Sequence, residues 1–333
     1  MQRLFKHREL LLGLIIVAMI LGFSTRAPNF AAPGNLATIF NDTSILIILA
    51  LGQMTVILTK SIDLSVAANL AFTGMVVAMT DAAFPGMPLG LLIVMAIAIG
   101  ALLGSLNGFL VWALQIPPIV VTLGTLTIYR GMAFVLSGGS WVNAHQMSPS
   151  FLNFPRISVL GMPILSWVAI AIVLAIWFVL TRTPFGRSAY ATGGNPTAAI
   201  YAGIDVGRAR FLAFVLSGGL AGLSGYLWVS RYAVAYVDIA AGFELDSVAA
   251  CVIGGISIAG GIGSVIGTVL GALFLGVIKN ALPVIGISPF AQMAISGVVI
   301  VLAVVFNARA ERKKGRIILR DRAAKDKTNE VIA

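Results

Sequence analysis

The chain has 333 residues, of which 59% are hydrophobic and 10% charged, with a mean hydropathy of +1.01. Soluble domains carry roughly 25% charged residues, so this composition excludes a soluble enzyme or binding module and defines a polytopic membrane protein. The formal charge of +10 does not indicate nucleic acid: of 22 Lys and Arg residues, three precede Glu9, four flank one central polar segment and nine lie from Arg309 onward, as in loops and tails that meet anionic lipid on the cytoplasmic side.

In chain order, Arg3, Lys6 and Arg8 precede an apolar run from Leu10 to Phe23. The pattern is that of a signal peptide, but no small-residue cleavage site follows and further spans do, so it reads as an uncleaved first span. At about 20 residues per span, ten helices are expected, near 9–24, 36–59, 62–80, 88–114, 117–136, 159–181, 210–230, 244–260, 262–282 and 288–307. An even number puts both termini on one side, and the basic residues make that side the cytoplasm. In the third, fifth and eighth of these, Ser61 to Ser65, Pro117-Pro118 and Gly254-Gly255 can start or break half-helices that only dip into the membrane. The fold class is therefore all-α, with about ten transmembrane or partly re-entrant helices: a transmembrane domain over 1–308, interrupted by a cytoplasmic segment at 181–210, and a basic cytoplasmic tail over 309–333.

Glycine recurs every four residues at Gly100, Gly104 and Gly108 in the fourth expected span and at Gly263, Gly267 and Gly271 in the ninth. Such stripes let helix backbones approach closely where lipid removes the hydrophobic drive. Ser65-Val66-Ala67-Ala68 in the third span recurs as Ser247-Val248-Ala249-Ala250 in the eighth, again five apart, which hints at a 5+5 inverted repeat with a path between the halves.

The segment from Thr181 to Arg210 is the longest polar interruption between spans. Asn195 is a good helix N-cap, Pro196 suits the first helical position, and Thr197 to Ala202, with Ala199 at its centre, can form about two turns before Gly203 stops them. A helix this short is unstable alone in water, so it must be held against its own chain or another protein. Arg182, Arg187, Arg208 and Arg210 against the single acid Asp205 set it on the cytoplasmic side. The segment is either a docking element or a basic connection between helices.

Asp42, Lys60, Asp63, Arg130, Glu244, Asp246 and Lys279 fall within or at the ends of spans. A charge at mid-bilayer costs at least ~2.5–3.5 kcal/mol on insertion scales, so each lines a path, pairs, or reaches the interface. Lys60 and Asp63, three apart, can pair on one helical face. Glu244 and Asp246 sit at an expected periplasmic entry, and Arg130 is placed to tie two helices together. Cys251 lies in an apolar run and reads as packing. No G-x-x-x-x-G-K-[ST] loop occurs, so ATP is not bound that way. His7 and His145 have no partner at ligand spacing, and neither a G-x-S-x-G elbow nor H-E-x-x-H is present. The expectation is no enzyme, no metal and no cofactor.

Four motifs in order resemble those of the membrane permeases of bacterial ABC importers for ribose and other monosaccharides, including autoinducer-2. They are Gly52-Gln53 with Ile62-Asp63-Leu64-Ser65-Val66; Asn107-Gly108 with Ile116-Pro117-Pro118, Thr122-Leu123-Gly124-Thr125 and Tyr129-Arg130-Gly131; Phe185-Gly186-Arg187 through Gly194-Asn195-Pro196 to Gly203; and Glu244 to Gly271 with its paired glycines. The resemblance covers nearly the whole chain. It implies a multi-pass permease of the bacterial inner membrane, paired with a second copy or a sister permease, powered by a cytoplasmic ATPase and supplied by a periplasmic sugar-binding protein. It also implies that the central segment couples to the ATPase through Arg187, Asn195, Pro196, Ala199 and Gly203. Lys60, Asp63, Arg130, Glu244 and Asp246 are the candidates for a translocation path. Lys60-Ser61 before Ile-Asp-Leu-Ser, together with Gly138 to Trp141 and Tyr190 to Gly193, is more similar to the rhamnose-type and autoinducer-2 members than to the ribose ones. A deoxyhexose such as rhamnose is therefore the favoured cargo, with autoinducer-2 next. The alternatives are an ion-coupled secondary transporter using Asp63, Glu244 or Asp246, and a branched-chain amino-acid permease of the same superfamily.

Overall fold

The computed structural model describes residues 2–288 together with 291, 292, 294, 295, 297, 298 and 301. Most of the expected 288–307 helix and the whole 309–333 tail lie outside the described residues. The described helices are α1 (Gln2–Ser24), α2 (Pro33–Leu58), α3 (Val66–Ala83), α4 (Leu89–Trp112), α5 (Pro118–Ser137), α6 (Pro149–Asn153), α7 (Ile164–Arg182), α8 (Pro184–Gly194), α9 (Pro196–Tyr201), α10 (Val206–Tyr232), α11 (Phe243–Ile253) and α12 (Val265–Val284). Two-residue strands β1 (Val142–Asn143) and β4 (Val234–Ala235) pair antiparallel with Val142 opposite Ala235, and β2 (Ser158–Val159) pairs with β3 (Met162–Pro163) in a tight ribbon.

Local chemistry sets these boundaries. α2 and α5 open on Pro33 and Pro118, where a missing N–H costs no hydrogen bond. Asp205 and Ser264 cap α10 and α12 by accepting from the backbone N–H of Arg208 at 2.8 Å and of Gly267 at 3.0 Å. Gly138, left-handed at φ +59°, ends α5.

Ten spans were expected; among the described residues seven helices are long and apolar enough to cross a membrane, namely α2, α3, α4, α5, α7, α10 and α12. The eighth expected span, 244–260, breaks at the Gly254-Gly255 pair that the sequence marked as a possible break. Its helix, α11, stops after 11 residues at Gly254-Gly255, where Gly255 takes φ +93°. At 1.5 Å per residue it covers only about 16 Å, roughly half the hydrocarbon thickness, so α11 is a half-helix. The third and fifth expected spans are instead full helices, α3 and α5. The polar 181–210 segment is not a loop: most of it is helical, as α8, α9 and the first turn of α10.

Burial separates centre from periphery. The most apolar windows of α2 and α10 are 94% and 78% buried, whereas those of α4, α5 and α7 are each 28% buried and turn apolar side chains such as Leu102, Val135 and Leu174 outward. A helix buried all round belongs to the core, and one with an apolar outer face belongs against lipid. Around the central pair the packing is reciprocal. α10 lies on α3 and α4, α2 lies on α11 and α12, and α3 packs on α4 as α11 does on α12. Equating α2–α3–α4 with α10–α11–α12 reproduces each contact, a pattern consistent with an inverted-repeat permease fold. The Ser-Val-Ala-Ala sequences fall in the equated helices α3 and α11.

α4 and α10 pack backbone against backbone. A Cβ built at Gly100 would lie 2.3 Å from the carbonyl oxygen of Gly218, and one at Gly104 2.3 Å from that of Phe214. Gly108 faces Phe211 at 3.0 Å. In the second half, Gly267 and Gly271 of α12 meet Gly254 and Ala250 of α11, with Cβ positions 2.1 and 2.0 Å from their carbonyl oxygens. Gly263, expected on the same helical stripe, precedes the cap of α12 and faces Ile256 from the connection.

Candidate functional site

α8, α9 and the start of α10 gather at one end of the bundle. The Asn195 side chain accepts from the N–H of Ala198 at 3.0 Å, Pro196 is the first helical residue, and Ala199 is buried. Gly203, at φ +79°, closes the helix: its N–H donates to Ile200 O at 2.9 Å, and that of Ile204 to Ala199 O at 2.9 Å. A left-handed residue there favours glycine. So α9 is fixed at both ends, yet it presents Ile200 at 61% and Tyr201 at 88% exposure. Beside it a groove is lined by Trp112, Gln115, Pro196, Ile200, Ile204 and Arg210. Arg187 is exposed on α8.

This end is anchored by contacts between residues far apart in sequence. The Tyr190 hydroxyl donates to Gly263 O at 3.0 Å, and burial pushes its pKa up, which keeps it a donor. Arg210 Nε reaches Thr59 O at 3.4 Å. Gly207 fits only because it has no side chain, since a Cβ would stand 2.1 Å from the Trp112 ring. The sequence marks Arg210 only by its charge and Tyr190 only as part of the Tyr190 to Gly193 run, neither of which shows what the side chain binds, and Gly207 is one of 36 glycines.

The membrane charges do not converge on one site. Asp63 does not pair with Lys60, which is exposed in a left-handed turn at φ +64°. The Asp63 carboxylate instead accepts from Ser65 N at 2.9 Å and Ser65 Oγ at 2.6 Å. Ser65 Oγ accepts from Asn107 Nδ2 at 2.8 Å, and Asn107 Oδ1 from the Tyr129 hydroxyl at 3.3 Å, so a buried polar chain ties the start of α3 to α4 and α5. The Gln53 amide, with its oxygen and nitrogen oriented to match, brackets the Asp63 backbone from α2. Thr122 of α5 donates to Ile62 O at 3.2 Å. Every member is partnered, as buried polar groups must be.

At the far end of α10, Arg130 donates to Val237 O and, at 2.9 Å, to Ile239 O, which ties α5 to the connection before α11. Asp238 and Glu244 lie within its electrostatic reach. The Glu244 carboxylate accepts from Gly242 N at 3.1 Å. Asp246 pairs with Lys279 and Asp42 with Arg231, the latter joining the two central helices. Buried Cys251 donates to Ala50 O at 3.2 Å, a packing contact between α11 and α2.

A bundle of apolar helices in two reciprocally packed halves, with a capped helix projecting at one end, defines a membrane transport subunit. The family model described as "branched-chain amino acid transport system / permease component" matches residues 35–304, and the chain belongs to this family of bacterial ABC-importer permeases. Among curated proteins it is similar to the ribose import permease protein RbsC of Escherichia coli K12, 36% identical over 92% of this chain and 95% of that protein. It is also similar to the autoinducer 2 import system permease protein LsrC of Klebsiella pneumoniae, 38% identical over 95% of this chain and 91% of that one. The RbsC of Bacillus subtilis is 36% identical over 90% and 91%. No solved structure matches. The chain is a non-catalytic transport permease, not an enzyme.

Proposed function

We propose that this permease moves a monosaccharide into the cytoplasm using ATP hydrolysed by a separate subunit that docks on α8 and α9. The observation that carries the proposal is α9: a six-residue helix, fixed by Asn195 and Gly203 and pinned through Ala199, that nevertheless exposes Ile200 and Tyr201. An element too short to persist alone, held rigid and left with an apolar outer face, is suited to receive load from a partner. Arg187, exposed on α8, is available to an acidic partner surface. Closure of the ATPase would displace α9 and rock the two glycine-packed halves between outward- and inward-open states. Both termini and the α9 end face the cytoplasm in this reading, a periplasmic binding protein delivers cargo at the opposite end, and a second copy or sister permease completes the unit.

A deoxyhexose such as rhamnose is the first-choice cargo and autoinducer-2 the second, on the Lys60-Ser61, Gly138 to Trp141 and Tyr190 to Gly193 features; the ribose and autoinducer-2 relatives support the sugar class. For the path itself, Lys60 at one end is exposed and Glu244 and Arg130 at the other are half-buried, while the buried Asp63 and Asp246 hold the wall. Uptake of labelled rhamnose, ribose and autoinducer-2 in cells lacking this gene and then carrying it again tests the reading. Loss and recovery of one of the three is the expected result, and unchanged uptake of all three contradicts it.

A further inference from the structure

Three separate pieces of backbone meet where α8 ends. A Cβ built on Gly193 would stand 1.9 Å from Leu58 O, 2.3 Å from Gly261 N and 2.9 Å from Gly260 C. Gly261 N donates to Leu58 O at 3.0 Å. Gly260 and Gly261 take φ +85° and +72°, a conformation that side chains resist, and a Cβ on Gly260 would lie 3.0 Å from Gly193 Cα and 3.1 Å from Lys60 N. Thus the end of α8, the break between α2 and α3, and the connection between α11 and α12 touch almost entirely through main chain, the Lys60 Cβ, 3.0 Å from a Cβ built on Gly260, being the one side-chain atom among these contacts.

From this contact we infer that Gly193, Gly260 and Gly261 form a backbone joint that passes displacement of α8 and α9 to both halves of the permease at once. The inference rests on the coupling role proposed above. Side chains hop between rotamers and absorb small movements, whereas backbone packed on backbone has no such slack. One branch of the joint runs through Leu58 into the break that Asp63 and Ser65 fasten to α4 and α5. The other runs through Gly261 into the connection that Tyr190 holds at Gly263 and that leads into α12. Both branches end on elements equated by the inverted pairing, so one push reaches each half by a path of a few residues. Gly193, Gly260 and Gly261 are accordingly positioning residues, and touch no cargo.

The test is the ratio of sugar moved to ATP hydrolysed, measured in vesicles containing the full complex of permease, ATPase and binding protein. Gly193→Ala is the principal variant. Gly194→Ala is its control, because a Cβ there meets nothing within 4 Å. Gly193→Ala is expected to assemble and hydrolyse ATP but to lower the ratio by about fivefold or more, within the range of measured coupling energies, with Gly194→Ala unchanged. Tyr190→Phe, which deletes one hydrogen bond and no packing, is expected to lower the ratio by about threefold, and it decides the matter alone should Gly193→Ala fail to assemble. A wild-type ratio in an assembled Gly193→Ala, or in Tyr190→Phe, overturns the joint. Absence of ATP-driven uptake by the unaltered complex would instead overturn the transport reading on which the joint rests.

Discussion

Asp63 shows how a membrane charge can be structural. Its carboxylate holds two donors of Ser65 where the chain breaks before α3, and Asn107 and Tyr129 extend the chain of bonds. Asp63→Ala leaves the buried Ser65 N–H without its acceptor and is expected to cost about 1–3 kcal/mol, seen as a lower melting temperature of the purified protein in detergent. Asp63→Asn keeps an oxygen for the same donors, so it is expected to retain most of that stability and to transport. Loss of transport with normal stability in Asp63→Asn would favour the ion-coupled alternative. The sequence marked Asp63 as a charge within an expected span and a member of the Ile62 to Val66 motif, and offered Lys60 as a partner because three-residue spacing implies one helical face. The break at Lys60 removes that face. Partners such as Asn107 and Tyr129 are distant in sequence, and no local pattern links them.

The helices sort by how far local chemistry determines them. α9 was legible residue by residue, since a cap, a proline at N1 and a left-handed glycine act over short range. α8 was not, because Arg187, Ser188 and the Gly193-Gly194 pair read as a polar connection, whereas burial of Ala189 and Gly193 and the Tyr190 bond stabilise it as a helix. α11 has the apolar composition of a span, but its end is set by a contact: Gly254 packs on Gly267, with a Cβ position 2.2 Å from Gly267 O. Replacing Gly100 with Ala is expected to push α4 off α10 and to destabilise the protein by about 1–3 kcal/mol, while Gly90→Ala in the same helix, with nothing within 4 Å, has little effect on the melting temperature. At α9, Asn195→Leu removes a cap worth about 1 kcal/mol. Gly203→Pro is incompatible with φ +79° and loses the N–H donated to Ile200. Both are expected to insert normally in the membrane yet uncouple uptake from ATP hydrolysis; normal coupling in either would remove the lever role of α9.

For the whole molecule, composition alone established the membrane class, and the stripe at Gly100 and Gly104 marked the face that α4 turns to α10. The matching Gly218 and Gly222 of α10 lie four apart, but Phe214 and Tyr226 at the flanking positions of that period leave only two glycines, too few to form a stripe. The two-half arrangement rests on tertiary pairing, of which the sequence retained the Ser-Val-Ala-Ala echo and the two glycine stripes five spans apart.

The central claim is that transport through this bundle is driven by a partner's ATP hydrolysis acting on α9. The most direct measurement is uptake of the cargo identified by the labelled panel into vesicles holding the complete permease unit and supplied with the binding protein, with and without the ATPase and enclosed ATP, and with an uncoupler present. Uptake is expected only with ATPase and ATP together, unaffected by the uncoupler. Uptake without the ATPase that collapses on adding the uncoupler would contradict the claim.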